Sequence, residues 1–281
     1  MATWHGISGA AAGAKTQRQN YLRSPRAPAT GNEGGRCCDE QDISLSGSKL
    51  VEEGPTVMKP MNEEHLAVLR RHMVEMIAIH TDLASEELGK AALDERVMAA
   101  MQRVPRHLFV PSSVAPYAYQ DMPLPIGFDK TVSQPFIVAL MTDLLALQPD
   151  DAVLEIGTGL GYQTAILAEL AGHVWSVEII EEFASHAETL LQGLGLSNIS
   201  IRVGDGSRGW PEHAPFDKIL VTVAAGRAPP ALLEQLKPGG RLVLPVGPEQ
   251  GQLLTVIDKD SVGQLKTRKL IPVRFSRLET V

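Results

Sequence analysis

Cysteine is almost missing from this chain. There are two among 281 residues, Cys37 and Cys38, side by side, and none from Met58 to the end. Neighbouring cysteines rarely bridge each other, and two cannot complete a zinc site. A disulfide scaffold is excluded, and the expected compartment is a reducing one, the cytoplasm. Long apolar runs are missing as well. No stretch approaches the roughly 18 residues of a membrane helix, so no membrane partner is expected. Basic residues are outnumbered, 26 Lys and Arg against 33 Asp and Glu, for a net charge of −7. The overall charge does not support a nucleic-acid binder and leaves room only for a local basic patch. What remains is an ordinary globular mix, 44% apolar and 21% charged. It is enough to build a core without staples.

Residues 1–57 differ from the rest. They are rich in Gly, Ala, Ser and Arg, with no apolar repeat at 2 or 3.6 residues. The expectation is a disordered leader, or upstream sequence included through a misplaced start codon, because Met58 and Met61 stand where periodicity begins. Lys15, Arg18, Arg23 and Arg26 give it a mild transit-peptide flavour. Residues 58–281 are expected to form one domain. Asn62 is a suitable N-cap for a helix carrying Leu66, Leu69, Met73, Met76 and Ile77 at helical spacing. A second helix is predicted over Asp94–Arg103. Prolines 111, 116, 123 and 125 mark a loop region. Ser133 is read as the N-cap of a helix Phe136–Leu147, with Pro135 in its first turn.

From Asp151 onward short apolar strands alternate with helices. The strands are Ala152–Ile156, Val174–Glu178, Ile199–Val203, Lys218–Ala224 and Arg241–Val246. The helices are Leu160–Ala171, Glu181–Leu194 and Pro230–Leu236. Two further strands, Gln252–Asp258 and Gln264–Arg274, close the chain without a helix between them. The pattern predicts an α/β, doubly wound, mostly parallel sheet covered on both faces, with an antiparallel C-terminal edge.

The first of these strands runs into Gly157-Thr158-Gly159-Leu160-Gly161-Tyr162, a glycine-rich turn that opens a helix. Nucleotide-like ligands sit at such turns. The dinucleotide pattern has a third glycine where Tyr162 stands. Glu155, just before the turn, would repel a pyrophosphate but could pair with a cation. S-adenosylmethionine, with a sulfonium and an ammonium and no phosphate, suits that charge better than NAD. Glu178 follows Gly157 by 21 residues, a position from which a carboxylate can accept ribose hydroxyls. Asp205, in Gly204-Asp205-Gly206, could accept from an adenine amino group.

Residues 62–281 resemble the protein-L-isoaspartate (D-aspartate) O-methyltransferases. The carriers are Ala118–Gly127, the loop Thr131-Val132-Ser133-Gln134-Pro135, Val153–Gly161, Gly204-Asp205-Gly206 and Leu236–Gly247. The glycine turn alone marks only a generic methyltransferase, and the Thr-Val-Ser-Gln-Pro loop narrows the family. The resemblance implies the class I methyltransferase, Rossmann-like fold. It also implies methylation by S-adenosyl-L-methionine of isoaspartyl carboxylates in damaged proteins and peptides. A monomer is expected. The family's active-site serine falls on Ser133. Its cofactor residues fall on Thr131, Val132 and Ser133, on Glu155, on Gly157, Thr158 and Gly159, on Glu178, and on Asp205 and Gly206. No metal is implied. Phe128-Asp129-Lys130 departs from the Gly-Gln that many bacterial members carry before the threonine, and the leader has no counterpart. A small-molecule acceptor is the alternative within the same fold. The walls of a peptide site are expected from loop 111–135 and from Val273-Arg274-Phe275.

Overall fold

A computed structural model describes residues 62–281; the leader and both cysteines lie outside the described residues. Three helices come first: α1 (Glu63–Leu83), α2 (Ser85–Leu88) and α3 (Glu95–Arg103). The Asn62 side chain accepts from the His65 amide at 2.8 Å, and Leu66, Met73 and Ile77 face inward. Met76 does not; it is on the exposed side of α1.

Next comes a two-stranded hairpin, β1 (Leu124–Gly127) and β2 (Lys130–Val132). The prolines of this segment predict a loop, and the structure pairs part of it instead. Gly127 pairs with Lys130, so only Phe128 and Asp129 form the turn, with φ of 48° and 55°. Two left-handed residues match the twist of a tight hairpin. The conformation costs a side-chain-bearing residue roughly 1–2 kcal/mol, so the flanking contacts must hold it.

Helix α4 (Pro135–Leu145) follows, with every residue buried. It starts one residue earlier and ends two residues earlier than the pattern predicted. The α/β part then runs β3 (Ala152–Ile156), α5 (Tyr162–Ala168), β4 (His173–Glu178), α6 (Glu181–Gly193), β5 (Ile199–Val203), β6 (Phe216–Val221), α7 (Pro230–Glu234), β7 (Leu236–Val246), β8 (Gln252–Lys259) and β9 (Leu265–Val273). One seven-stranded sheet orders them β5-β4-β3-β6-β7-β8-β9. Neighbours are parallel from β5 through β7, and β8 and β9 are antiparallel. The expected sheet is therefore present, including its edge.

Side chains alternate across a strand, so successive residues serve different cores. Val153, Leu220 and Val243 join the core beneath α1, α3, α4 and α5. Leu154, Ile156, Ile219, Val221, Leu242 and Leu244 join the core on the other face with Leu232 of α7. Burial on both faces is why the strands are mostly apolar. The chain leaves β3 toward β4 and β5, then crosses back to β6 and β7. That reversal opens a crevice at the carboxyl ends of β3 and β6, the place where ligands bind in such sheets. Among the described residues no helix is long and apolar enough to cross a membrane.

Candidate active site

The crevice holds an open cavity of about 700 Å³, counted out into solvent. Its floor is Ile156, Gly157 and Gly159 at the end of β3, Val177, Glu178 and Ile179 at the end of β4, and Thr222 and Val223 after β6. Its walls are Ile126, Lys130, Thr131 and Ser133 on one side and the C-terminal residues Phe275–Glu279 on the other. Gly206 and Phe183 complete it. A smaller cavity adjoins, lined by Thr131, Val132, Ser133, Thr158 and Gly159 among others.

Glycine is required at the end of β3. Gly157 has φ +96°, and a Cβ there would stand 2.4 Å from Thr222 Oγ1. That hydroxyl is not free to move, because it donates toward the Gly157 carbonyl at 2.7 Å and the Ile156 carbonyl at 3.0 Å. Gly157→Ala is therefore expected to destabilise the fold by about 1–3 kcal/mol, read from a denaturant titration. A change below about 0.3 kcal/mol would show that the turn relaxes freely.

Glu178 is placed by backbone. Oε2 accepts from the Gly159 amide at 2.8 Å, and Oε1 accepts from the amides of Ile179 and Ile180 at 2.9 and 3.0 Å. A carboxylate has about four acceptor positions, so one remains on Oε2 beside the cavity. Asp205 caps the short turn Gly206–Arg208, accepting from the Ser207 amide at 2.9 Å and pairing with Arg208 at 3.5 Å. Burial acts to raise its pKa, but the Ser207 hydrogen bonds and Arg208 prevail and hold it below the usual carboxylate range. Its neighbour Gly206 lines the cavity; Asp205 is not among the lining residues.

Two expectations are corrected. Glu155 does not face the cavity. It is fully buried beneath the glycine turn, where Oε2 accepts from the hydroxyls of Thr164 and Ser176, both at 2.6 Å. Oε1 is buried and has no hydrogen-bond partner among the described residues. Burial raises its pKa to about 7, against the two hydroxyls that favour the anion. A strand residue alternates between faces, and one step from Ile156 turns the side chain away from the crevice. Glu155 supports the turn and does not present an open anion to a cation.

Ser133 is also not the helix cap. Gln134 occupies the N-cap position and makes no side-chain cap bond. The first-turn amide of Phe136 donates instead to Asp121 Oδ1 at 2.8 Å, from well outside the helix. Asp121 Oδ2 accepts from Gln134 Nε2 at 2.8 Å and lies 2.5 Å from His80 Nδ1. With the cap supplied by Asp121, the Ser133 hydroxyl has no partner among the described residues and lies on the cavity wall. The Ser133 carbonyl is held, accepting from Arg106 Nη2 at 2.9 Å.

Of the predicted residues, the structure brings Thr131, Ser133, Gly157, Gly159, Glu178 and Gly206 to one cavity, and Val132 and Thr158 to the adjoining one. Thr158 is buried, sharing a hydrogen bond of 2.6 Å with Ser176. Phe275 lines the cavity, and so do residues 276–279, beyond the expected Val273-Arg274-Phe275. An ion pair ties Lys130 of β2 to Glu279 across the mouth. Phe128 packs edge-on against Phe183 at 5.4 Å on the other flank. Nothing in the spacing of residues 276–279 signals this; only the return of the chain after β9 places them there.

Comparison with known proteins decides the family. The family description "Protein-L-isoaspartate(D-aspartate) O-methyltransferase (PCMT)" matches residues 80–280. The chain belongs to this family. A protein-L-isoaspartate O-methyltransferase 1 of Polaromonas sp. is 58% identical over 219 residues, 78% of this chain and 93% of that protein. A protein-L-isoaspartate O-methyltransferase 2 of Syntrophobacter fumaroxidans is 54% identical over 207 residues, 73% of this chain and 84% of that protein. Among solved structures, a protein-L-isoaspartate O-methyltransferase superposes with a TM-score of 0.65 at 28% identity, covering 75% of this chain and 66% of that one. One from Plasmodium falciparum, solved with S-adenosyl-L-homocysteine, superposes with a TM-score of 0.61 at 20% identity, covering 76% and 98%. The protein-L-isoaspartate O-methyltransferase family and the doubly wound class I methyltransferase fold are thus established for residues that include the whole cavity.

Proposed function

We propose that the protein transfers a methyl group from S-adenosyl-L-methionine to the free carboxylate of L-isoaspartyl and D-aspartyl residues in damaged proteins and peptides. The observation that carries this reading is the partnerless Ser133 hydroxyl on the wall of a cavity floored by the Gly157–Gly159 turn and Glu178. The cavity sets apolar walls, Ile126, Ile156, Val177 and Phe183, beside the polar groups of Thr131, Ser133, Glu178 and Thr222, a lining suited to a nucleoside cofactor. Gly157, Thr158 and Gly159 would carry its amino-acid part, Glu178 its ribose, and Gly206 with Asp205 its base; Thr131 and Val132 would close it from the hairpin side. When bound, it supplies an electrophilic methyl on a sulfonium.

The chain's own residues have a modest chemical task. An α-carboxylate has an intrinsic pKa of about 3.5, so at neutral pH the acceptor is ionised without a base. The cavity lining contains no histidine, and Glu178 is committed to three amides. The work left is to orient the acceptor oxygen and exclude water, which in favourable cases contributes about 7–11 kcal/mol. Ser133 Oγ–H donates to the acceptor carboxylate, and the N-terminus of α4 adds a favourable partial positive charge. The reading extends to a cytoplasmic monomer acting on protein and peptide chains, with neither nucleic acid nor membrane as partner; the net charge of −7 supports the exclusion of nucleic acid.

Calorimetry with S-adenosylhomocysteine and with NAD tests the donor, and labelled methyl transfer tests the acceptor. Binding of S-adenosylhomocysteine with none of NAD is expected. So is label that leaves protein as methanol in mild base, as a carboxyl ester must. Base-stable label, or label on a small molecule only, would overturn the proposal.

A further inference from the structure

Arg106 is the largest fully buried side chain among the described residues, with no exposed surface. It belongs to a short turn, Arg106–Phe109, far from the sheet in sequence. Its guanidinium donates to three carbonyls: Ala118, Met122 at 3.2 Å and Ser133 at 2.9 Å. The ring of Tyr162 lies 5.5 Å from its central carbon. Tyr162 is the first residue of α5, directly after the glycine turn. One cation therefore touches both halves of the proposed site, the loop bearing Ser133 and the helix that the Gly157–Gly161 turn opens.

This arrangement is costly as a stability device. No carboxylate pairs with Arg106 among the described residues, and its Nε is buried without a partner. Burying a charge costs several kcal/mol, and here only hydrogen bonds to carbonyls offset it. Its geometry, in contrast, is hard to replace. Planar forked donors can reach several carbonyls at once, and a Lys ammonium cannot copy that span.

We infer that Arg106 is a positioning residue for methyl transfer, fixing the Ser133 loop against the cofactor turn through Tyr162. The inference rests on the proposed function. Arg106 does not touch either reactant; it acts through the Ser133 backbone. Small displacements of a reacting group are expensive, about a hundredfold for 1 Å.

The test uses the full chain with Arg106→Lys and Arg106→Met. Expected for both is a fall in kcat of at least tenfold, with the KM for an isoaspartyl peptide and the Kd for S-adenosylhomocysteine within threefold of the parent. A second readout needs no turnover. Amide hydrogen exchange should accelerate at least tenfold at residues 131–134 while the inner amides of α4 keep their protection. Arg106→Met should melt below the parent, because the Ala118, Met122 and Ser133 carbonyls lose their buried donor, so kinetics are read below the melting point of each variant. Parental kcat in either folded variant would overturn the inference, as would loop exchange that does not change. Failure of both variants to fold would overturn it too, by making Arg106 a stability element. If the parent itself transfers no methyl group, the proposed function fails, and the exchange data still decide whether Arg106 holds the loop.

Discussion

Ser133→Ala is expected to lower kcat about a hundredfold, the scale seen when one preorganised hydrogen-bond donor to a reacting oxygen is removed. The melting temperature should stay within about 2 °C of the parent. The hydroxyl has no partner to lose among the described residues, and the helix start it might have capped is served by Asp121 through the Phe136 amide. Substitutions away from such features change stability by about 0.5 kcal/mol or less. Had Ser133 been the cap, alanine would have cost about 1 kcal/mol with little effect on rate. Steady-state kinetics on an isoaspartyl peptide, with thermal denaturation of the same preparations, separates the two. Parental turnover, or a loss of rate matched by a loss of stability, removes Ser133 from the chemistry.

Glu155→Gln is expected to change how stability depends on pH. Burial raises the Glu155 pKa from 4.5 to about 7 in the folded state. Between those values the folded protein holds a proton that the unfolded chain releases. The contribution of Glu155 is therefore fully present below about pH 4.5 and lost as pH rises through about 7. The span corresponds to about 3 kcal/mol. The amide of a glutamine does not titrate, while its oxygen can still accept from Thr164 and Ser176. Relative to the parent, the variant should gain up to about 3 kcal/mol between pH 4.5 and 8 in urea titrations. Groups common to both, such as Asp94 and Asp217, cancel in the difference. A difference that is flat across that range would mean that Glu155 ionises as an exposed carboxylate does.

Much of the architecture is legible in the residues because one physical rule governs each part. The parallel strands are apolar on both faces, so β3, β4, β6 and β7 stand out as short runs, and the glycine turn follows from the need for positive φ at Gly157. The hairpin β1–β2 is not legible. It has four and three residues, Pro125 lies within it, and a turn with Phe128 and Asp129 in the left-handed region carries no glycine signal. The site divides the same way. The order of Gly157, Glu178 and Gly206 at strand ends follows from topology. The true surroundings of Ser133 depend on Asp121, Arg106 and His80, contacts between segments that no local pattern records. Glu155 shows the cost of reading charge without direction: the residue type suited a cation, but the alternation along β3 points it into the core.

The most direct test of the account sets an isoaspartyl peptide against its normal aspartyl twin, with labelled S-adenosylmethionine as donor. The account predicts base-labile methyl groups on the isoaspartyl peptide and none above background on the twin. Equal labelling of the two peptides, or none on either by an enzyme that binds S-adenosylhomocysteine, would contradict it.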